Sequence, residues 1–155
     1  MKIEDILDPR CIKIPIGGKT KDRVIGELID LMVKAGVAES GQELLASAME
    51  REGLMSTGIG KGVAIPHGRT KGVKRMAGSL GISAEPVDFG SLDGQPVQMF
   101  FFLATPQSIV ADHVKALALV SRLLNREDVR AALLKATSAG QVMKAFTDAE
   151  SQDQK

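Results

Sequence analysis

The chain has 155 residues, 44% of them hydrophobic, which supports a single compact unit and excludes a multidomain enzyme on a prior of roughly one domain per 150 residues. Twenty basic against nineteen acidic residues leave a net charge of +1, with no Trp or Tyr, so neither nucleic acid nor an anionic membrane is an expected partner. The one cysteine, Cys11, excludes a disulfide framework and fits a reducing cytoplasm, and the lack of any signal-like or long apolar stretch excludes secretion and membrane insertion as expectations.

Ile12, Ile14 and Ile16 alternate with Cys11, Lys13 and Pro15, which predicts an edge strand, followed by a turn at Gly17-Gly18. Thr20 caps a predicted helix with apolar positions Val24, Ile25, Leu28, Leu31, Met32 and Ala35, weakened by Gly26 and stopped by Gly36. Ser40 with Glu43 forms a capping-box pattern ahead of a helical face of Leu44, Leu45, Ala48 and Met49 that ends before Gly53. Short strands are predicted at Val63 to Ile65, Ala77 to Ser83, Val87 to Phe89 and Val97 to Ala104. The last carries no polar residue after Gln98, the pattern of a strand buried on both faces. Helices follow at Asp112 to Asn125, Glu127 to Ala136 and Ala139 to Phe146. The predicted fold class is an α/β sandwich, with a central mixed sheet of about five strands flanked by helices. The folded unit is expected over 1–147, with 148–155 a polar, frayed C-terminal tail.

Two histidines limit the candidates for proton or phosphoryl chemistry near neutral pH. His67 follows a glycine-rich loop and a short apolar strand, in Ser56-Thr57-Gly58-Ile59-Gly60-Lys61-Gly62-Val63-Ala64-Ile65-Pro66-His67-Gly68. Pro66 constrains the backbone before the imidazole and Gly68 removes bulk after it, which places a reacting group at a strand end. Gly58, Gly60 and Gly62, at alternate positions, let the backbone approach an anion and turn N–H groups toward it. The loop matches neither the Walker nor the Rossmann pattern, so nucleotide binding is not expected. Thr57 either closes a turn on its own backbone or touches the anion with its hydroxyl. Arg51 either relieves the dipole at its helix end or forms a guanidinium fork for phosphate.

His113 shares a predicted inward stripe with Leu117, Val120 and Leu124, where it is either a satisfied core histidine or a partner for His67. Arg69, Lys71, Lys74 and Arg75 follow His67 as a solvated loop or as a positive field for a phosphorylated state. A zinc site built from His67, His113 and Asp112 or Glu52 lacks the usual histidine spacing, and no G-x-S-x-G turn supports a serine hydrolase.

The stretch from Arg51 to Gly68 resembles the signature of the fructose/mannitol-type (type 2) enzyme IIA domains of the bacterial phosphoenolpyruvate-dependent phosphotransferase system. The resemblance continues through Val87-Asp88-Phe89, Asp93-Gly94-Gln95-Pro96-Val97 and Asp112-His113-Val114-Lys115-Ala116-Leu117-Ala118. Within that family it is most similar to the nitrogen-regulatory form. The resemblance implies that His67 accepts a phosphoryl group from HPr or its nitrogen-branch counterpart, that His113 and Arg51 help hold it, and that no cofactor or metal is needed. It also implies either regulatory target proteins or a separate enzyme IIB downstream. The chain departs from the family at Val114, where Leu is usual, and at Lys61, where a neutral residue is common. A non-catalytic interaction module with the same fold is the alternative from another class.

Overall fold

The computed structural model describes residues 1–153. A short turn of 3-10 helix (Ile3–Asp5) leads into β1 (Leu7–Ile16), α1 (Lys21–Lys34) and α2 (Gly41–Leu54). Three short strands follow, β2 (Gly58–Gly60), β3 (Val63–Ala64) and β4 (His67–Thr70), then the long strands β5 (Ala77–Val87) and β6 (Val97–Pro106). The chain closes with α3 (Val110–Leu124), α4 (Glu127–Lys135) and α5 (Ala139–Asp153).

The strands form one mixed sheet in the order β1-β5-β6-β3-β2, with β4 also paired to β6. β5 and β6 are antiparallel, β1 lies parallel to β5, and β3 and β4 both lie parallel to β6. β3 and β4 share one side of β6: β3 faces Met99 and Phe100, whereas β4 faces Leu103 through Pro106. They are two halves of a single strand interrupted at Ile65-Pro66.

The expected strand at Val87 to Phe89 does not form separately, since Val87 ends β5. β2 and β4 were not anticipated, which raises the count to six. The expected α/β sandwich with helices on both sides is what the sheet's two cores require. Met99, Phe101 and Leu103 of β6 pack with α3, α4 and α5, while Phe100, Phe102 and Ala104 pack with α1 and α2. Period-two alternation along a strand that is apolar on both faces produces this result.

Local signals explain both ends of α1 and the start of α2. The Thr20 hydroxyl accepts the Arg23 N–H at 3.4 Å, and Gly36 leaves α1 with φ of 76°. The capping box predicted at Ser40 does not form: Ser40 accepts from the Gln42 N–H, and the Glu43 carboxylate accepts the Lys71 N–H at 3.0 Å instead. α2 continues through Gly53, and its inward face is Leu44, Ala48 and Glu52, with Leu45 exposed.

The segment expected to be a tail is the last part of α5 as far as Asp153. Within it Glu150 is buried and accepts the Ile3 N–H at 2.9 Å, and Arg126 donates to the Ala149 carbonyl and the Asp153 carboxylate. Gln154 and Lys155 lie outside the described residues.

Two glycines separate packing from propensity. A Cβ on Gly78 would lie 2.6 Å from the fully buried Phe101 ring, whereas one on Gly26, inside α1, meets nothing within 4 Å. Gly78→Ala is expected to destabilise the protein by about 1–3 kcal/mol. Gly26→Ala is expected to stabilise it by roughly 0.5–1 kcal/mol. Urea unfolding of the two variants checks both signs.

Candidate phosphoryl-acceptor site

His67 is the first residue of β4, beside Leu103 of β6, and not the last residue of the preceding strand as the sequence implied. Gly68 allows this placement, because a Cβ there would come within 3.1 Å of the α2 backbone at Leu44 and Ala48. β4 therefore lies directly against α2, whose final turn carries Arg51. The imidazole is half-buried, and its Nδ1 sits 2.9 Å from the Ile65 carbonyl oxygen. A carbonyl only accepts, so Nδ1 holds the proton and Nε2 carries the free lone pair.

His113 occupies the first turn of α3 and is buried, as its predicted inward stripe requires. Its ring lies 5.3 Å from that of His67, centroid to centroid, in an edge-on arrangement. Its Nδ1 is 2.7 Å from the hydroxyl of Thr105, a fully buried residue of β6. Thr105 was missed by sequence reasoning, because a threonine ending an apolar strand carries no mark of its role.

Both imidazoles are held neutral at pH 7. Burial pushes His67 below the ordinary imidazole value, helped by the Arg51 and Arg69 guanidiniums and opposed by the Ile65 carbonyl and Glu52. Burial likewise lowers His113, with His67 and Arg69 adding to the effect, to about 4. Arg69 follows His67 by two positions on β4, which puts both side chains on one face of the sheet. Arg51 donates to the Met55 carbonyl at 2.8 Å, closing the end of α2 while standing close enough to act on His67. Its two sequence readings, helix end and anion fork, are therefore compatible.

The glycine loop is not an anion cradle at His67. Gly60, Lys61 and Gly62 all have positive φ (95°, 59° and 78°) because they form the turn of the β2-β3 hairpin. That turn lies level with Met99, whereas His67 lies level with Leu103. The two positions are four residues apart on β6, roughly 13 Å along the strand. The Lys61 N–H is given to Asp93, and the Gly62 carbonyl accepts from Gln98 and Met99.

Gly58 is buried in β2 against Ser91 and donates its N–H to Ser56. Thr57 gives both its N–H and its hydroxyl to Glu52, at 2.9 and 2.7 Å, so it has no donor left for a phosphate. Gly58, Gly60 and Gly62 thus build the hairpin that supports β3, and Thr57, just before it, is committed to Glu52. Among the described residues, no group of three or more His, Cys, Asp or Glu side chains is placed to hold a metal ion. No helix among them is long and apolar enough to cross a membrane.

What remains is a neutral imidazole with a fixed proton, a second neutral imidazole at van der Waals range, and two guanidiniums in the surrounding field. That arrangement favours uptake of a dianionic group by Nε2.

Known proteins carry the same arrangement of elements. The nitrogen regulatory protein IIA-Ntr of Neisseria meningitidis superposes with a TM-score of 0.84 at 32% identity, covering 93% of this chain and 98% of that one. The nitrogen regulatory protein of Pseudomonas aeruginosa is 31% identical over 97% of each chain. The fructose-specific EIIABC component of Bacillus subtilis is 41% identical over 89% of this chain, which spans 22% of that protein's length. The family described as phosphoenolpyruvate-dependent sugar phosphotransferase system, EIIA 2, matches residues 5–149, and the chain belongs to that family.

Proposed function

We propose that the protein is a phosphohistidine carrier, with His67 Nε2 accepting a phosphoryl group from the phosphohistidine of HPr or an HPr-like nitrogen-branch protein. The observation that carries this reading is the Ile65 carbonyl on Nδ1, which leaves Nε2 as the unprotonated nitrogen. In the transfer, the donor's N–P bond breaks as the Nε2–P bond forms, and the lone pair returns to the donor imidazole. The His67 proton stays on Nδ1 throughout. The phosphorylated ring is then cationic and a good leaving group, which keeps the bond easy to pass on.

Arg51 and Arg69, whose charges both act on His67, supply positive charge to the three equatorial oxygens of the loose transition state. A Thr105 hydroxyl that donates to His113 Nδ1 leaves Nε2–H of His113 as a further donor to those oxygens. Chemistry of this kind is positioning and electrostatics, and the residues present supply it without a cofactor.

Exposed Leu54 and Met55 follow Arg51 at the end of α2, and exposed Val110 and Val114 flank His113 on α3. These apolar side chains around charged groups suit docking of a partner that brings its own histidine to the centre. Regulation is the favoured use, because the nitrogen regulatory relatives match along nearly their whole length. Delivery to a separate enzyme IIB in sugar uptake is the second reading, favoured by the higher identity to the fructose-specific protein. The unpaired Cys11 thiol suits a reducing cytoplasm.

Incubation with phosphoenolpyruvate, enzyme I and either HPr or its nitrogen-branch counterpart is expected to add one acid-labile phosphate, read by intact mass. His67→Ala abolishes it, while Arg51→Ala and His113→Ala slow its formation by about 10²-fold. A His67→Ala chain that still takes up one phosphate contradicts the reading. Val114→Asp is expected to raise the donor KM with little change in kcat, because it alters docking and leaves the imidazoles in place.

The depressed basicity of His113 has a consequence for stability. The unfolded imidazole binds its proton near 6.5, the folded one only near 4. Between those values the unfolded state holds more protons, so stability is full above 6.5 and declines as pH falls from 6.5 toward 4. His113→Asn is expected to flatten that part of the curve, as measured by denaturant unfolding at pH 7, 6, 5 and 4.

A further inference from the structure

The buried charge nearest His67 has no part in the transfer just described. Glu52 sits on the inward face of α2 with its side chain 3% exposed, and its two oxygens collect three donors. The Thr57 N–H lies at 2.9 Å, the Thr57 hydroxyl at 2.7 Å and the Lys21 ammonium at 3.0 Å. Lys21 in turn lies 4.9 Å from the centre of the Phe89 ring, which fixes it at the start of α1. An apolar side chain of the same volume would fill such a position at least as well, so the charge requires a reason beyond packing.

The hydrogen bonds continue from Glu52 toward the acceptor. The Thr57 carbonyl accepts the Ile65 N–H at 3.0 Å, and the Ile65 carbonyl accepts Nδ1–H of His67 at 2.9 Å. Lys21, Glu52, Thr57, Ile65 and His67 are thus joined in turn by hydrogen bonds, with the backbone of Thr57 and of Ile65 carrying the connection from one bond to the next. Arg51 holds the same turn from its other end, through the Met55 carbonyl. Two consecutive residues of α2 thus clamp the segment that precedes the hairpin, one through a carbonyl and the other through an N–H and a hydroxyl.

We propose that Glu52 is a positioning residue, whose carboxylate anchors Thr57 and, through the backbone of Thr57 and Ile65, sets the orientation and tautomer of the His67 imidazole. Its effect on phosphoryl transfer rests on His67 being the acceptor, whereas its effect on the ring does not. Low local dielectric strengthens each bond in such a chain, and loss of one partner leaves a buried group unpaired.

The test uses the full chain, with Glu52→Gln, Thr57→Val and Thr57→Ser, and two readouts. The first is the 15N shifts of the His67 imidazole in the unphosphorylated protein, and the second is the kinetics of phosphorylation by the phospho-donor. Wild type is expected to show a single Nδ1–H tautomer. Glu52→Gln is expected to give a mixture of tautomers and a transfer rate lower by roughly ten- to a hundredfold, with the donor KM unchanged. Thr57→Val moves in the same direction, and Thr57→Ser, which keeps the hydroxyl, behaves as wild type.

A folded Glu52→Gln chain with wild-type imidazole shifts overturns the proposal. If Glu52→Gln does not fold, the Thr57 pair decides, and identical His67 shifts in Thr57→Val and Thr57→Ser overturn it. A tautomer shift in a protein that no donor phosphorylates supports the positioning role while removing the carrier reading.

Discussion

The hydrogen bond from His67 Nδ1 to the Ile65 carbonyl decides which nitrogen of the ring keeps its free lone pair, and the fold around it exists in a form that keeps this carbonyl available. In an uninterrupted strand the Ile65 oxygen would be drawn into the ladder. Here β3 stops at Ala64 and β4 starts at His67, and Pro66 between them has no N–H to offer. The Pro66 carbonyl still accepts from Leu103, so the chain stays against β6 while the Ile65 oxygen turns to the imidazole. A local break in a strand creates the acceptor geometry, and its neighbours on the sheet hold the break in place.

Two helices that are distant in sequence meet at that point because β6 is apolar on both faces. α2 packs on the side of Phe100, Phe102 and Ala104, and brings Arg51 to the edge of the site. α3 packs on the side of Met99, Phe101 and Leu103, and brings His113 to Thr105 at the end of β6. The burial that builds these cores also desolvates the imidazoles and keeps them neutral, so packing and reactivity share one cause.

Much of the fold was legible in the sequence. Phe100 to Phe102 marked the doubly buried strand, and the stripes of α1 and α3 marked the helices that cover it. His67, His113 and Arg51 were legible as candidates, and the structure brings them together. The misreadings have physical sources. Gly58-Ile59-Gly60 and His67-Gly68-Arg69-Thr70 have no strand-like alternation of apolar residues, yet both pair with neighbours that compel an extended backbone. Positive φ serves an anion nest and a hairpin turn equally well, so Gly60 and Gly62 were ambiguous until their register placed them beside Met99. Thr57 was claimed by a carboxylate five residues earlier, and α5 was extended by the Arg126 contacts from more than twenty residues away. Local patterns do not contain contacts of that range.

The proposed carrier role turns on Nε2 of His67 as the atom that takes the phosphoryl group. The most direct measurement is 31P and 1H–15N NMR of the phosphorylated protein, labelled at histidine nitrogens, to locate the N–P coupling. One phosphoryl group is expected, coupled to His67 Nε2, with Nδ1 still protonated. Coupling to His67 Nδ1, or to either nitrogen of His113, would contradict it.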